Sequence, residues 1–133
     1  MIPVIFINCS GFPFIDHIMT GTKKYETRTK NTMKKLLDSF LGKRILLAQT
    51  GNGDPLVRCS AVIDKVIEVY TEDAWIPYIM DADISNGSQY DWQYDTKKKV
   101  LYHLTDIKPV NSFRLPKSCK RHGRVWAEFN GSI

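Results

Sequence analysis

The chain has 133 residues, of which 43% are hydrophobic and 25% charged, with a net charge of +5. That length and balance suit one compact domain with a core, and they exclude an intrinsically disordered chain. No apolar run reaches the ~20 residues of a bilayer-spanning helix, and no signal peptide opens the chain, so a cytoplasmic protein without membrane contact is expected.

The first segment, "PVIFIN" (3–8), is rich in β-branched and aromatic residues and predicts a buried strand. Pro13 then suits a helix start, and Phe14, Ile15, Ile18 and Met19 recur at helical spacing up to Gly21, a C-terminal cap. A short helix over 13–20 is expected. "KKYETRT" follows as an extended segment whose alternation sends Lys24, Glu26 and Arg28 to one side and Tyr25 and Thr27 to the other. "TMKKLLDSFLGKR" predicts a second helix with Thr32 as N-cap and Gly42 closing it.

"RILLAQT", the turn Gly51-Asn52-Gly53 and "LVRCSAVIDKVIEV" read as a β-hairpin whose long second strand must bend or bulge. Residues 71–95 form an acidic, partly ordered excursion: Thr71-Glu72-Asp73 looks like a helix start, but Pro77 and "SNGSQYD" prevent a long helix. "KKVLYHLTDIKPV" is a strand, "RLPKSCKRHG" a basic loop and "RVWAEF" a last strand. The pattern predicts a mainly β, α+β domain, a small closed or nearly closed barrel of five to six strands with two short helices at its ends.

Charge is segregated along the chain. Residues 21–44 carry eight Lys/Arg against two acids, and residues 97–124 carry nine against Asp106 alone. Residues 45–96 carry nine acids against Arg58 and Lys65. If the two basic segments fold onto one face they attract phosphate; scattered solvated lysines are the competing reading. Cys9, Cys59 and Cys119 are far apart, and His17, His103 and His122 have no ligand spacing, so neither metal nor cofactor is expected.

The stretch "GTKKYETR" (21–28), following a short apolar helix, resembles the GxKxxExR signature of the ASCH domain, with Gly21, Lys23, Glu26 and Arg28 at the matching positions. The order of "RILLAQTG", "VLYHLTDIKPV" and "GRVWAEF" around it is similar to that family's, with 71–95 resembling a variable insertion. The resemblance implies a PUA-like β-barrel with a cleft beside the first helix, and binding of RNA or a nucleotide-like ligand. Some members are hydrolases. An acetylcytidine amidohydrolase of the family uses the motif's Lys with a Thr where this chain has Glu26 and a Glu from a later strand, and others are ribonucleases. Glu26 lacks the hydroxyl of the amidohydrolase pattern.

On their own chemistry, Glu26 could accept from a base amino group, Arg28 offers a planar fork to phosphate or a base edge, and Lys23 paired with Glu26 would stay charged. As acid–base partners in a hydrolase, Lys23 and Glu26 would need the lysine pKa lowered by burial, which a neighbouring carboxylate opposes. Further candidate ligand residues are Gln49 and Thr50 before the glycine turn, and Asn8 and Ser10 at the first strand's end. Tyr102 could stack on a base, as could Trp126, although both lie in apolar strands where core packing competes; His103 reads as structural. The acidic 71–95 segment could alternatively dock on a protein partner.

Overall fold

A computed structural model describes residues 1–132. Its elements run β1 (Ile2–Asn8), α1 (Phe14–Thr20), β2 (Tyr25–Arg28), α2 (Lys34–Phe40), β3 (Arg44–Thr50), β4 (Leu56–Val69), α3 (Glu72–Trp75), a 3₁₀ turn (Ile76–Tyr78), β5 (Lys99–Arg114), β6 (Arg121–His122) and β7 (Trp126–Phe129). The strands form one mixed sheet in the order β2-β5-β4-β3-β1-β7-β6, in which only β1 and β3 are parallel. The α+β, mainly β reading holds, with seven strands and three short helices among the described residues. Among them no helix is long and apolar enough to cross a membrane.

The sheet bends because β4 and β5 are long and repeatedly out of register. Bulges fall between Val57 and Cys59, Ser60 and Val62, and Ile63 and Lys65, and each adds local twist. The curl brings β2, at one end of the order, back towards β1, four places along it. The two are not joined by a backbone ladder. Arg28 of β2 spans the gap instead, donating from Nη2 to the carbonyl oxygen of Phe6 on β1 at 3.0 Å. The barrel is therefore closed by a side chain along an open seam.

Ile5, Ile7, Leu47, Ile63 and Tyr102 pack under Ile15 and Ile18 of α1 and Leu36 and Leu37 of α2. The α1 helix ends at Gly21 as expected, in the left-handed region at φ +85°. Met19, expected on its apolar face, is exposed. Thr32 does not cap α2: Met33 occupies the N-cap position and is fully buried, because its side chain serves the core better than a hydroxyl there.

The acidic 71–95 segment is more ordered than expected. Thr71 does cap α3, its Oγ1 accepting from Ala74 N at 3.2 Å. Trp75, fully buried, anchors the segment against Tyr25, Val69 and Leu101. Its indole donates to Asp91 Oδ1 at 2.8 Å, and Asp91 also accepts from Gly87 N and Trp92 N. Burial opposes ionisation of Asp91, but these three hydrogen bonds outweigh it and hold its pKa below the ordinary carboxylate value. The predicted basic loop contains β6, which pairs with β7.

Candidate nucleotide pocket

The seam widens into a cavity of about 610 Å³. The β2 side contributes Glu26, Thr27, Arg28 and Thr29, and the β1 side Phe6 and Asn8. Phe14 of α1 and Lys23 close one end, Thr50, Gly51 and Gly53 of the hairpin another. Ile84 and Tyr90 of the acidic segment form a wall, and Arg121, Gly123 and Arg124 form the rim. Tyr90 meets Phe14 edge-on, with ring centroids 5.4 Å apart.

Lys23 reaches the cavity from the loop before β2. The turn at Gly21 reverses the chain so that Lys23 N donates to His17 O at 3.0 Å, which fixes the residue beside α1. Its side chain is 2% exposed. The ammonium lies 4.5 Å from the centroid of the Phe14 ring and donates to the Ala82 carbonyl at 2.5 Å. Burial lowers its pKa below 10.5, while the nearby Glu26 and Asp83 carboxylates pull the other way. An ammonium carries three donors, and Ala82 takes one of them.

Glu26 is also buried. One carboxylate oxygen, Oε1, accepts from Arg28 Nη1 and from Thr27 N at 3.3 Å. The other, Oε2, is buried without any hydrogen-bond partner. Buried carboxylate oxygens are normally satisfied, and leaving one bare costs free energy. Arg28 is thus the ion-pair partner of Glu26. The expected Lys23–Glu26 pair does not form, because the lysine is drawn to the Ala82 carbonyl.

The structure brings Lys23, Glu26, Arg28, Thr50 and Asn8 to one cavity. Lys24, placed by alternation on the side of Glu26, is instead exposed beside Asp81, since β2 begins only at Tyr25. Gln49 lies outside the lining and accepts from Arg58 Nη1 at 3.2 Å. Ser10 is exposed, its backbone N–H donating to Asn8 Oδ1 at 2.9 Å. Tyr102 cannot stack on a ligand: it is fully buried, and its hydroxyl donates to Asn31 Oδ1 at 2.8 Å. His103 pairs with Asp64 at 2.7 Å.

Sequence reasoning missed Phe6, Phe14, Thr27, Ile84 and Tyr90. Phe14 carried a signal, since it lies in the helix that the motif follows; Tyr90 carried none. Arg121 and Arg124 fall in or beside the stretch read as a basic loop. They share the cavity with Lys23 and Arg28, so the two basic segments do meet. Arg121 and Arg124 form no ion pair among the described residues.

No family model matches the sequence, and no curated protein does. Among solved structures, the chain is similar to the ASCH protein of Zymomonas mobilis, at 22% identity and a TM-score of 0.67, over 85% of this chain and 73% of that one. Two single-substitution variants of that protein match at 21% and 22% identity, each with a TM-score of 0.66, over 84% and 85% of this chain and 72% and 75% of theirs. The chain therefore has the fold of the ASCH domain, the architecture that its Gly21-Lys23-Glu26-Arg28 pattern implies.

Proposed function

We propose that the protein binds RNA, holding one nucleotide in the seam cavity. The observation that carries this reading is Glu26 Oε2, a buried acceptor without a partner in a cavity otherwise rich in donors. An amino or imino N–H of a nucleobase supplies the missing donor, and the free N–H groups of Lys23 supply donors for a neighbouring ring nitrogen or carbonyl. Tyr90 and Phe14 give the base apolar contact. Arg121 and Arg124 at the rim are placed for phosphate, whose binding releases counterions. The ASCH-type fold agrees with this reading.

Arg28, with its guanidinium engaged by Glu26, Thr27 O and Phe6 O, acts chiefly by orienting Glu26. The test is fluorescence anisotropy with short labelled RNA and calorimetry with nucleoside monophosphates, at low and physiological salt. Affinity should fall as salt rises, and Glu26→Gln should weaken binding about tenfold or more while the fold persists. No affinity at low salt, or equal affinity in Glu26→Gln, would overturn the proposal.

A second reading, hydrolysis of a modified nucleoside or of RNA, is favoured by the lowered pKa of Lys23, the direction that a catalytic amine needs. Lys23 would take a proton from the attacking water and return it to the leaving group. Incubation with N4-acetylcytidine and with RNA decides it: turnover lost in Lys23→Met supports the reading, and absence of turnover removes it. The alternative of a protein partner docking on the acidic segment rests on Ile76, Met80 and Tyr94, which the segment exposes while Trp75, Ile84 and Trp92 pack on its own chain; a pull-down that captures no partner with the full chain removes it.

A further inference from the structure

We propose that a second cavity, on the opposite side of β6, is a neighbouring nucleotide subsite, so that the protein grips consecutive residues of a single RNA strand. This rests on the reading of the seam cavity as a nucleotide pocket and extends it.

The second cavity, of about 510 Å³, lies between α2 and the β6–β7 pair. Its surface includes Trp126, whose indole stacks on the His122 imidazole with centroids 3.9 Å apart and planes 5° from parallel. Glu128 holds that imidazole in place, at 2.7 Å from Nε2. Phe40 adds a further ring. Base–aromatic stacking on such a platform is tolerant of sequence. Lys34 and Lys35 line the same cavity, are exposed, and form no ion pair among the described residues. Among the described residues no acidic side chain lines it. Asn31 turns its Oδ1 to the Tyr102 hydroxyl, which leaves its amide N–H groups for a ligand. Flat aromatic surface, unpaired cations and an amide without opposing carboxylates match a base with its phosphate.

The two cavities share their walls. Along β6, Arg121 lines the seam cavity and His122 the second, and Gly123 in the turn that follows lines the first. The connection from β2 to α2 does the same over a few residues: Arg28 and Thr29 line the first, Asn31 and Thr32 the second. The partition is thus the single strand β6, whose successive side chains leave it on opposite faces. A single-stranded backbone can cross it between consecutive bases, and the rim arginine and the α2 lysines then flank its path.

The experiment compares a labelled pentaribonucleotide with a nucleoside monophosphate on the full chain, in wild type, Lys34→Gln/Lys35→Gln and Trp126→Leu. Wild type should bind the pentanucleotide about tenfold or more tighter than the monophosphate. Both variants should lose about fivefold or more of the pentanucleotide affinity and none of the monophosphate affinity. The lysine variant should also show a shallower salt dependence, by about 0.7 in log–log slope for each phosphate no longer neutralised. Because both lysines are exposed, that variant keeps the test valid if Trp126→Leu fails to fold. A monophosphate bound as tightly as the pentanucleotide, or undiminished pentanucleotide affinity in the lysine variant, overturns this subsite alone. If neither probe binds wild type, the seam pocket itself falls and takes the subsite with it.

Discussion

Arg28 on β2 and Phe6 on β1 are joined by a hydrogen bond of 3.0 Å from guanidinium to carbonyl, across a gap that no backbone ladder bridges. The same guanidinium neutralises Glu26. Arg28→Ala removes both at once and leaves a buried carboxylate unpaired. The cost should be about 2–3 kcal/mol in urea-induced unfolding, below the range for a fully buried pair because Arg28 keeps 26% of its side-chain surface exposed. Adding Glu26→Gln to Arg28→Ala should recover part of that loss; a double variant no more stable than the single one would show that the unpaired charge is not the cause.

Lys23 predicts a pH dependence. Its folded-state pKa is lowered from 10.5, chiefly by burial, so between the two values the unfolded chain binds more protons than the folded one and stability rises with pH. Lys23→Met keeps the length of the side chain and removes the titration. The variant's stability advantage over wild type should therefore be greatest near neutral pH and shrink as pH approaches 10.5, as read by denaturation series on both proteins. A difference independent of pH would contradict the assigned cause.

Asp91 ties the acidic segment to the rest of the chain. Asp91→Ala leaves the Trp75 indole and the Gly87 and Trp92 amides without their acceptor, at a cost of about 2–3 kcal/mol. Because Ile84 and Tyr90 of this segment wall the cavity, ligand affinity should fall with it. Wild type should lose the same contribution in acid, as pH drops below 3.8 and through the lowered folded-state pKa of Asp91. Hydrogen exchange at Gly87 and Trp92 would locate the opening.

Gly51 lies at φ +107°, and a Cβ there would sit 2.9 Å from Ser10 Oγ and 3.0 Å from Asn8 Oδ1. Gly51→Ala should destabilise by roughly 1–2 kcal/mol and displace the end of β1 that lines the cavity. Gly42→Ala, also at positive φ but with nothing within 4 Å, should cost less. Equal costs would mean that backbone strain alone, and not the crowding, matters at Gly51.

The parts of this structure that were legible in the sequence are local. The end of α1 at Gly21, the hairpin turn at Gly51 and Gly53, and the bulged β4 follow from residue type and periodicity over short windows. The convergence of Glu26 and Arg28 on one side follows from strand alternation. What escaped is set by distant packing. Tyr90 becomes a cavity wall only because Trp75 and Asp91 fold the acidic segment inward, and no periodicity announces that. Lys23 was legible in the motif, but Lys24, placed by alternation beside Glu26, turns to Asp81 instead because the irregular loop before Tyr25 breaks the alternation. Tyr102 looked available as an aromatic in a strand, but its face of β5 lies under the helices.

The guanidinium strut couples the barrel's mouth to the charge inside it. A continuous ladder would hold the two margins at a fixed separation, whereas a tie made of one long side chain can change rotamer without unzipping any strand. Releasing the tie, however, also strips the buried Glu26 carboxylate of its cation, so the margin of the mouth and the charge inside it stand or fall together.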